Sequence, residues 1–230
     1  MMQNKPETIY GLSGGEALSD PPVLIGLTGG IATGKSTASA LLREMGYRVI
    51  DADQTAHQMM DAGGALAQAV GEHFGLYYLR ENGAVDREKM AQLVFSDSTA
   101  RQTLNALAHP LIFQELRRLV SATVKDSTET RKKDILFLDI PLLFESDAQK
   151  QLPLCEVWLI DCEEAVQRER LRTRNDYSEE EALQRIRAQM PMAEKRKRAT
   201  RIICNNADRA ALQKELQKTV ARFLKEKEYE

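Results

Sequence analysis

The stretch Gly29-Gly30-Ile31-Ala32-Thr33-Gly34-Lys35-Ser36 limits what this chain can fold into more than any other feature. It fits the spacing G-x-x-x-x-G-K-[ST], in which glycines let the backbone curl until successive N–H groups point at one phosphate. The flanks supply the context that the loop needs. "VLIGLT", from Val23, reads as a short buried strand, and "KSTASALLREMGY" places Ala38, Leu41, Leu42 and Met45 on one helical face. A strand, a tight loop and a helix in that order put the positive end of the helix behind the phosphate. Lys35 then supplies a mobile charge for the β and γ phosphates, and the Ser36 hydroxyl is a magnesium ligand.

The rest of the chain extends this unit. "RVIDAD" predicts a second strand running to Asp53 and lying next to the loop strand, while "DILFLDIP", "EVWLID" and "TRIICN" predict three more. Residues 54–124 show helical periodicity and no strand, which marks a helical insertion; within it Pro110 suits the first turn of a helix. "EEAVQRERLRTRNDYSEEEALQRIRAQ" predicts two helices broken at Asn175–Tyr177, the second opened by a Ser178/Glu181 capping box. The tail from Ala207 carries Leu212, Leu216, Val220, Phe223 and Leu224 on one face as a closing helix. Strands alternating with helices predict a doubly wound α/β core. Residues 1–20 lack periodicity and are expected to be a flexible extension.

Bulk properties remove several function classes. With 32 basic against 34 acidic residues and a formal charge of -2, no global field draws the protein to nucleic acid or a membrane. The opening residues lack a signal-peptide core and no run approaches a membrane span, so a soluble cytoplasmic protein is expected. Three cysteines without close pairing and three scattered histidines offer neither a disulfide framework nor a zinc site. The basic stretch "EKRKRATR", Glu194–Arg201, is expected to be a solvated helix face, with anion contact to bound substrates as its functional option and nucleic acid disfavoured.

The loop alone serves switches, motors and kinases alike. A GTP switch is disfavoured because Cys204-Asn205-Asn206-Ala207-Asp208 lacks the lysine of a guanine-reading N-K-x-D. A small chain with a helical insertion and an arginine-rich hairpin suits a kinase that covers its acceptor and excludes water. Asp51 and Asp53 come at the carboxyl edge of the sheet, where parallel sheets bind ligands. Asp139, ending "ILFLD", can hold magnesium through water or cap a turn, and His109 can line an acceptor pocket or serve structure.

The ordered set "GLTGGIATGKST", "VIDAD", "DREKMAQLVF", "LNALAHPLI", "DIPLLFES", "QRERLRTR" and "RIRAQM" closely resembles the dephospho-coenzyme A kinase family from about Val23 to Phe223. The resemblance implies transfer of the γ-phosphoryl of MgATP to the 3′-hydroxyl of dephospho-coenzyme A. It implies a P-loop NTPase-type parallel five-stranded sheet flanked by helices, with a helical substrate-binding insertion and a lid. The nucleotide-binding core would comprise residues 21–54, 126–167 and 196–230, the substrate domain 55–125 and the lid 168–195. Carried over residue by residue, Gly29, Gly30, Ala32, Thr33, Gly34, Lys35, Ser36 and Thr37 would hold the nucleotide, with Asn205 on the adenine side. Asp53 would be the catalytic carboxylate, orienting the attacking hydroxyl and taking its proton late, with His109 beside the acceptor. Lys35, Arg170 and Arg174 would meet the transferring charge, the two arginines only on lid closure; Ser36 and Asp139 would hold magnesium.

The family's loop has glycine where this chain has Ala32, so a positive φ there would cost about 1 kcal/mol. The acidic residue and glycine usual after the last strand are replaced by Cys204-Asn205-Asn206-Ala207. The rival readings are another small P-loop kinase, acting on nucleoside monophosphates, and a nucleotide-gated binding module.

Overall fold

In the computed structural model, which describes residues 22–125 and 135–228, strand β1 (Val23–Gly29) leads into helix α1 (Lys35–Glu44), then β2 (Arg48–Asp51) and α2 (Ala52–Met59). Next come α3 (Ala65–Phe74), a 3-10 turn (Leu76–Tyr78), α4 (Arg87–Ser96) and α5 (Ser98–Lys125). After β3 (Ile135–Asp139), α6 (Ala148–Gln151) and β4 (Glu156–Asp161) follow α7 (Glu164–Asn175), α8 (Glu179–Arg187) and α9 (Met192–Arg198). β5 (Arg201–Cys204) and α10 (Arg209–Glu228) close the chain. The expected extension at residues 1–20 lies outside the described residues.

The five strands form one parallel sheet in the order β2-β3-β1-β4-β5. Alternation along the strands builds two apolar layers. Ile25, Leu27, Phe137, Trp158 and Ile203 pack on α1 and α10, through residues such as Leu41, Leu216 and Phe223. On the opposite face Leu24, Leu136 and Leu138 meet Phe113, Leu116 and Val120 of α5, together with Leu143 and Phe144. Each such fully buried side chain contributes about 1.5–3 kcal/mol. The insertion gathers a separate cluster around Ala67, Val70, Val85 and Met90.

Three sequence expectations need correction. β2 is not adjacent to β1, because β3 is hydrogen-bonded to both. β3 is buried at all five positions while β2 is only half-buried, so the more apolar strand takes the interior place and β2 the edge. β2 also ends at Asp51 rather than Asp53: the Asp51 carboxylate accepts from Gln54 N–H at 3.0 Å and starts α2, so Asp53 stands in a first helical turn. Finally, Pro110 lies inside α5. That helix starts far earlier, at Ser98, where the Asp97 carboxylate accepts from Thr99 and Ala100 N–H at 2.7 and 3.1 Å. Burial of Phe113, Leu116 and Val120 beyond the proline offsets the missing hydrogen bond.

Candidate functional site

The loop after β1 is bent by two left-handed residues, Ala32 at φ 60° and Gly34 at φ 90°. The condition set by the sequence holds, so Ala32 carries a strain of about 1 kcal/mol that a glycine would avoid. Gly34 has no such freedom to change, since a Cβ there would meet Asn205 Nδ2 at 2.1 Å. It also begins α1 without any side-chain cap, which leaves the first N–H groups of that helix for a ligand.

The carbonyls of the loop are held from behind. Gln167 Nε2 donates to Ile31 O at 2.7 Å, and Asn205 Nδ2 donates to Thr33 O at 2.7 Å. Arg170 Nη1 approaches Ala32 O and Thr33 O at 3.4 Å, while its Nη2 donates to Asn205 O at 3.0 Å and Ala207 O at 3.2 Å. Carbonyl dipoles that would repel a phosphate are thereby engaged elsewhere. Gln189 Oε1 accepts from Ile31 N–H at 2.7 Å, so one residue of the loop is gripped at both of its backbone groups.

Lys35 Nζ forms an ion pair with Asp139, whose other carboxylate oxygen accepts from Ser39 Oγ at 2.5 Å. Asp139 is buried, and Lys35 extends over it toward a cleft of about 900 Å³. Gly29, Gly30, Ala32, Gly34, Lys35, Ser36 and Thr37 line this cleft on one side, and Arg170, Arg174 and Asn205 line it on another. Asp53 completes the wall. Its carboxyl group has no hydrogen bond or ion pair among the described residues. Burial between the cleft walls pushes its proton affinity up; Lys35 opposes this, whereas Asp51 and Asp139 add to it. The group is still open to solvent along the cleft, so the shift is a matter of recessed position, not enclosure.

Most of the residues expected from the sequence therefore converge. Thr33 is buried under the loop, its hydroxyl donating to Gly30 O at 2.9 Å. Asp139 lies beneath Lys35 and does not line the cleft. His109 is not brought there either. It sits on α5 beside Phe113, ring centroids 5.9 Å apart, where burial lowers its proton affinity. Arg174 is exposed and donates to Asn175 Oδ1 at 3.1 Å, whereas Arg170 is seated against the backbone of the loop itself.

The basic stretch at Glu194–Arg201 departs in part from its reading as a solvated face: Lys197 and Arg198 are exposed, but three other cations are paired with carboxylates distant in sequence. Lys195 is fully buried with Nζ 2.8 Å from Glu145 Oε1, and Arg196 grips Asp161 at 2.7 and 2.9 Å. Arg201 pairs with Glu156 at 2.6 and 2.8 Å. Internal carboxylates at distant sequence positions claim these cations. Sequence reasoning missed Gln167 and Gln189, because a neutral glutamine within an arginine-rich segment carries no local signal of contact.

Among the described residues no cluster of three or more His, Cys, Asp or Glu could hold a metal ion. The donors fit a magnesium ion that arrives with phosphates and keeps its waters, which needs few protein ligands. Ser36 lines the cleft and fits as a direct ligand, while Asp139, committed to Lys35 and Ser39, fits only as a partner through water. No helix among the described residues is long and apolar enough to cross a membrane.

A family model described as dephospho-CoA kinase matches residues 23–211. The chain is 39% identical over 220 residues to the dephospho-CoA kinase of Lactococcus lactis, covering 89% of this chain and 100% of that one. It is 42% identical over 192 residues to the enzyme of the same description from Geobacillus kaustophilus, covering 84% and 92%. Among solved structures, dephospho-CoA kinase from Campylobacter jejuni superposes with a TM-score of 0.59 at 25% identity, covering 86% of this chain and 96% of that one.

Proposed function

The chain belongs to the dephospho-CoA kinase family, and from that premise we propose how its reaction is divided among the residues of one cleft. The protein is a nucleotide-using kinase that phosphorylates dephospho-CoA at the ribose 3′-hydroxyl with ATP as donor, the final step of coenzyme A biosynthesis. In the proposed arrangement the triphosphate lies along residues 29–34 with its charge at the start of α1, and the adenine turns toward Asn205. Lys35 exchanges its Asp139 partner for the β and γ phosphates.

Asp53 hydrogen-bonds the 3′-hydroxyl of the acceptor. The ribose oxygen forms its bond to the γ-phosphorus as the bond from that phosphorus to the bridging oxygen breaks, ADP departs, and the hydroxyl proton passes late to the Asp53 carboxylate. The burial that raises the proton affinity of Asp53 suits it to that last step. Arg170 and Arg174 offset charge on the transferring group. Magnesium, when bound, neutralises β and γ phosphate charge; Ser36 would hold it directly and Asp139 through water.

The same reading assigns the acceptor to residues 55–125, covering to a lid at 168–195 and the nucleotide to residues 21–54, 126–167 and 196–230. Two water-soluble substrates favour a cytoplasmic location, which cell fractionation tests. The observation that carries the proposal is the Asp53 carboxylate, unpartnered among the described residues and lining the same cleft as Lys35 and Arg170. An acceptor panel tests it. ADP formed from ATP only with dephospho-CoA, and lost in Asp53→Asn, supports the assignment; equal turnover with a nucleoside monophosphate, or full activity in the Asn variant, refutes it.

A further inference from the structure

The two side chains on Ile31 come from the two roots of the segment between α7 and α9. Gln167 is a buried residue of α7, one turn before Arg170. Gln189 follows α8 and directly precedes Met190, whose N–H donates to Glu145 Oε1 at 3.1 Å. Glu145 is in turn the ion-pair partner of the fully buried Lys195 on α9. Gln189 is thus fixed from its far side and reaches the loop from a pinned position. Gly30, the preceding loop residue, closes the joint: a Cβ on it would meet Met192 Sδ at 2.7 Å and Gln167 Nε2 at 2.9 Å. Its φ is not positive, so close approach and not backbone freedom demands glycine there.

We propose that Gln167 and Gln189 are a pair of positioning residues through which the base of the α7–α9 segment sets the conformation of the phosphate loop. One carboxamide donates to Ile31 O and the other accepts from Ile31 N–H, both at 2.7 Å, so together they fix the orientation of the peptide groups on either side of Ile31. Ile31 immediately precedes Ala32, the strained residue, whose left-handed conformation is unfavourable for a free loop and needs outside support. With one hand of the clasp released, the peptide groups of Ile31 turn, Ala32 relaxes, and the amides that should face the phosphate are no longer pre-aimed. Losing either glutamine therefore reduces the fraction of loops competent to bind ATP, and saturating ATP restores it. Movement of the segment away from the loop would have the same effect, which ties its closure to ATP affinity.

The inference rests on reading residues 29–36 as the ATP phosphate loop, and its test separates the two. Near-isosteric Gln167→Met and Gln189→Met preserve volume while removing the donor or the acceptor. Each single variant is expected to raise KM for ATP about 2- to 12-fold, the equivalent of one net hydrogen bond, with kcat at saturating ATP within about threefold of wild type. Because both act on one residue, the double variant should stay within about twofold of the worse single, where independent effects would multiply. In the ligand-free protein, hydrogen exchange at the Ile31 amide should accelerate in Gln189→Met while β3 and α10 amides keep their rates. Gln189→Glu keeps an acceptor and should keep that amide protected, while its charge on the cleft wall weakens ATP binding. Multiplying effects, a collapse of kcat at unchanged KM, or an unchanged Ile31 amide in Gln189→Met overturns the clasp. A wild-type protein that shows the exchange behaviour but does not bind ATP would leave the clasp standing and sink the phosphate-loop reading.

Discussion

Lys195→Met removes the most deeply buried cation of any ion pair among the described residues. The side chain of Lys195 is 0% exposed and that of Glu145 is 22% exposed, with Nζ and Oε1 2.8 Å apart. The approach is too oblique for a hydrogen bond, so charge holds the contact. Breaking a fully buried pair by deleting one partner costs about 3–5 kcal/mol, because the other charge is left without compensation. Glu145 is better off than that limit: it retains some solvent and the Met190 N–H. Methionine also refills most of the lysine volume, so little is lost to a cavity. The expected cost is therefore about 2–3 kcal/mol, at or just below the lower end of that range. For a chain of this size that lowers Tm by about 4–12 °C.

Thermal unfolding followed by circular dichroism measures the shift. Adding Glu145→Gln to Lys195→Met should recover a substantial part of the loss, since the amide still accepts from Met190 and no orphaned charge remains. A single variant within about 2 °C of wild type would mean less than 1 kcal/mol and would refute the reasoning. So would a double variant less stable than the single, because the orphaned carboxylate would then not be the source of the cost.

Gly34→Ala forces a Cβ into φ 90° and onto Asn205 Nδ2, so about 1–2 kcal/mol of backbone strain adds to about 0.5–1.5 kcal/mol for the Asn205–Thr33 hydrogen bond; calorimetry should find ATP binding lost in a folded protein. Asp53→Asn should lower kcat about 10²- to 10⁴-fold in single-turnover transfer. Since the folded state raises the proton affinity of Asp53, its contribution to stability is present in acid and is lost as pH rises through the raised value; the Tm advantage of the Asn variant should grow from about pH 3 to about pH 7. Arg170→Ala should raise KM for ATP as well as lower kcat, because the guanidinium already holds loop carbonyls, and Arg170→Lys should not rescue it, since a single ammonium cannot span Ala32, Thr33, Asn205 and Ala207; steady-state kinetics on both variants decides.

What could be read from the sequence was written in local spacing. The loop, its flanking strand and helix, and the Ser178/Glu181 capping box all signal within a few residues, and the box forms as expected at 2.8 and 3.3 Å. The places where reading failed depend on distant partners. Pro110 carries a strong local signal for a helix start, yet packing of the residues after it against the sheet extends one helix through it. Gln189 reaches Ile31 across 158 positions, and no property of a glutamine in "RIRAQM" foretells a backbone amide at that remove. The order of the strands was illegible for the same reason: adjacency to β1 depends on which apolar run takes the interior place and which the edge, and only the burial of β2 and β3 in the folded sheet decides it.

The cations show how far such partnering shapes the site. In the sequence Arg170, Arg174, Lys195, Arg196 and Arg201 are five similar charges within a short region. In the fold three of them are compensated, by Glu145, Asp161 and Glu156. Arg170 and Arg174 have no carboxylate partner among the described residues, and both line the cleft. The contacts of Arg170 are to neutral carbonyls, which fix its position without cancelling its charge. A polyanion entering the cleft therefore meets two guanidinium charges that no carboxylate cancels, while Lys195, Arg196 and Arg201 are engaged in holding α9 and β5 to the sheet. Lys35 belongs to an intermediate class. It is compensated by Asp139 while the loop is free, and this keeps its ammonium ordered beneath the cleft at no net charge until phosphate competes for it. The near-neutral whole chain and the strongly anion-seeking cleft are consistent with each other, because selective pairing, not composition, sets the local field.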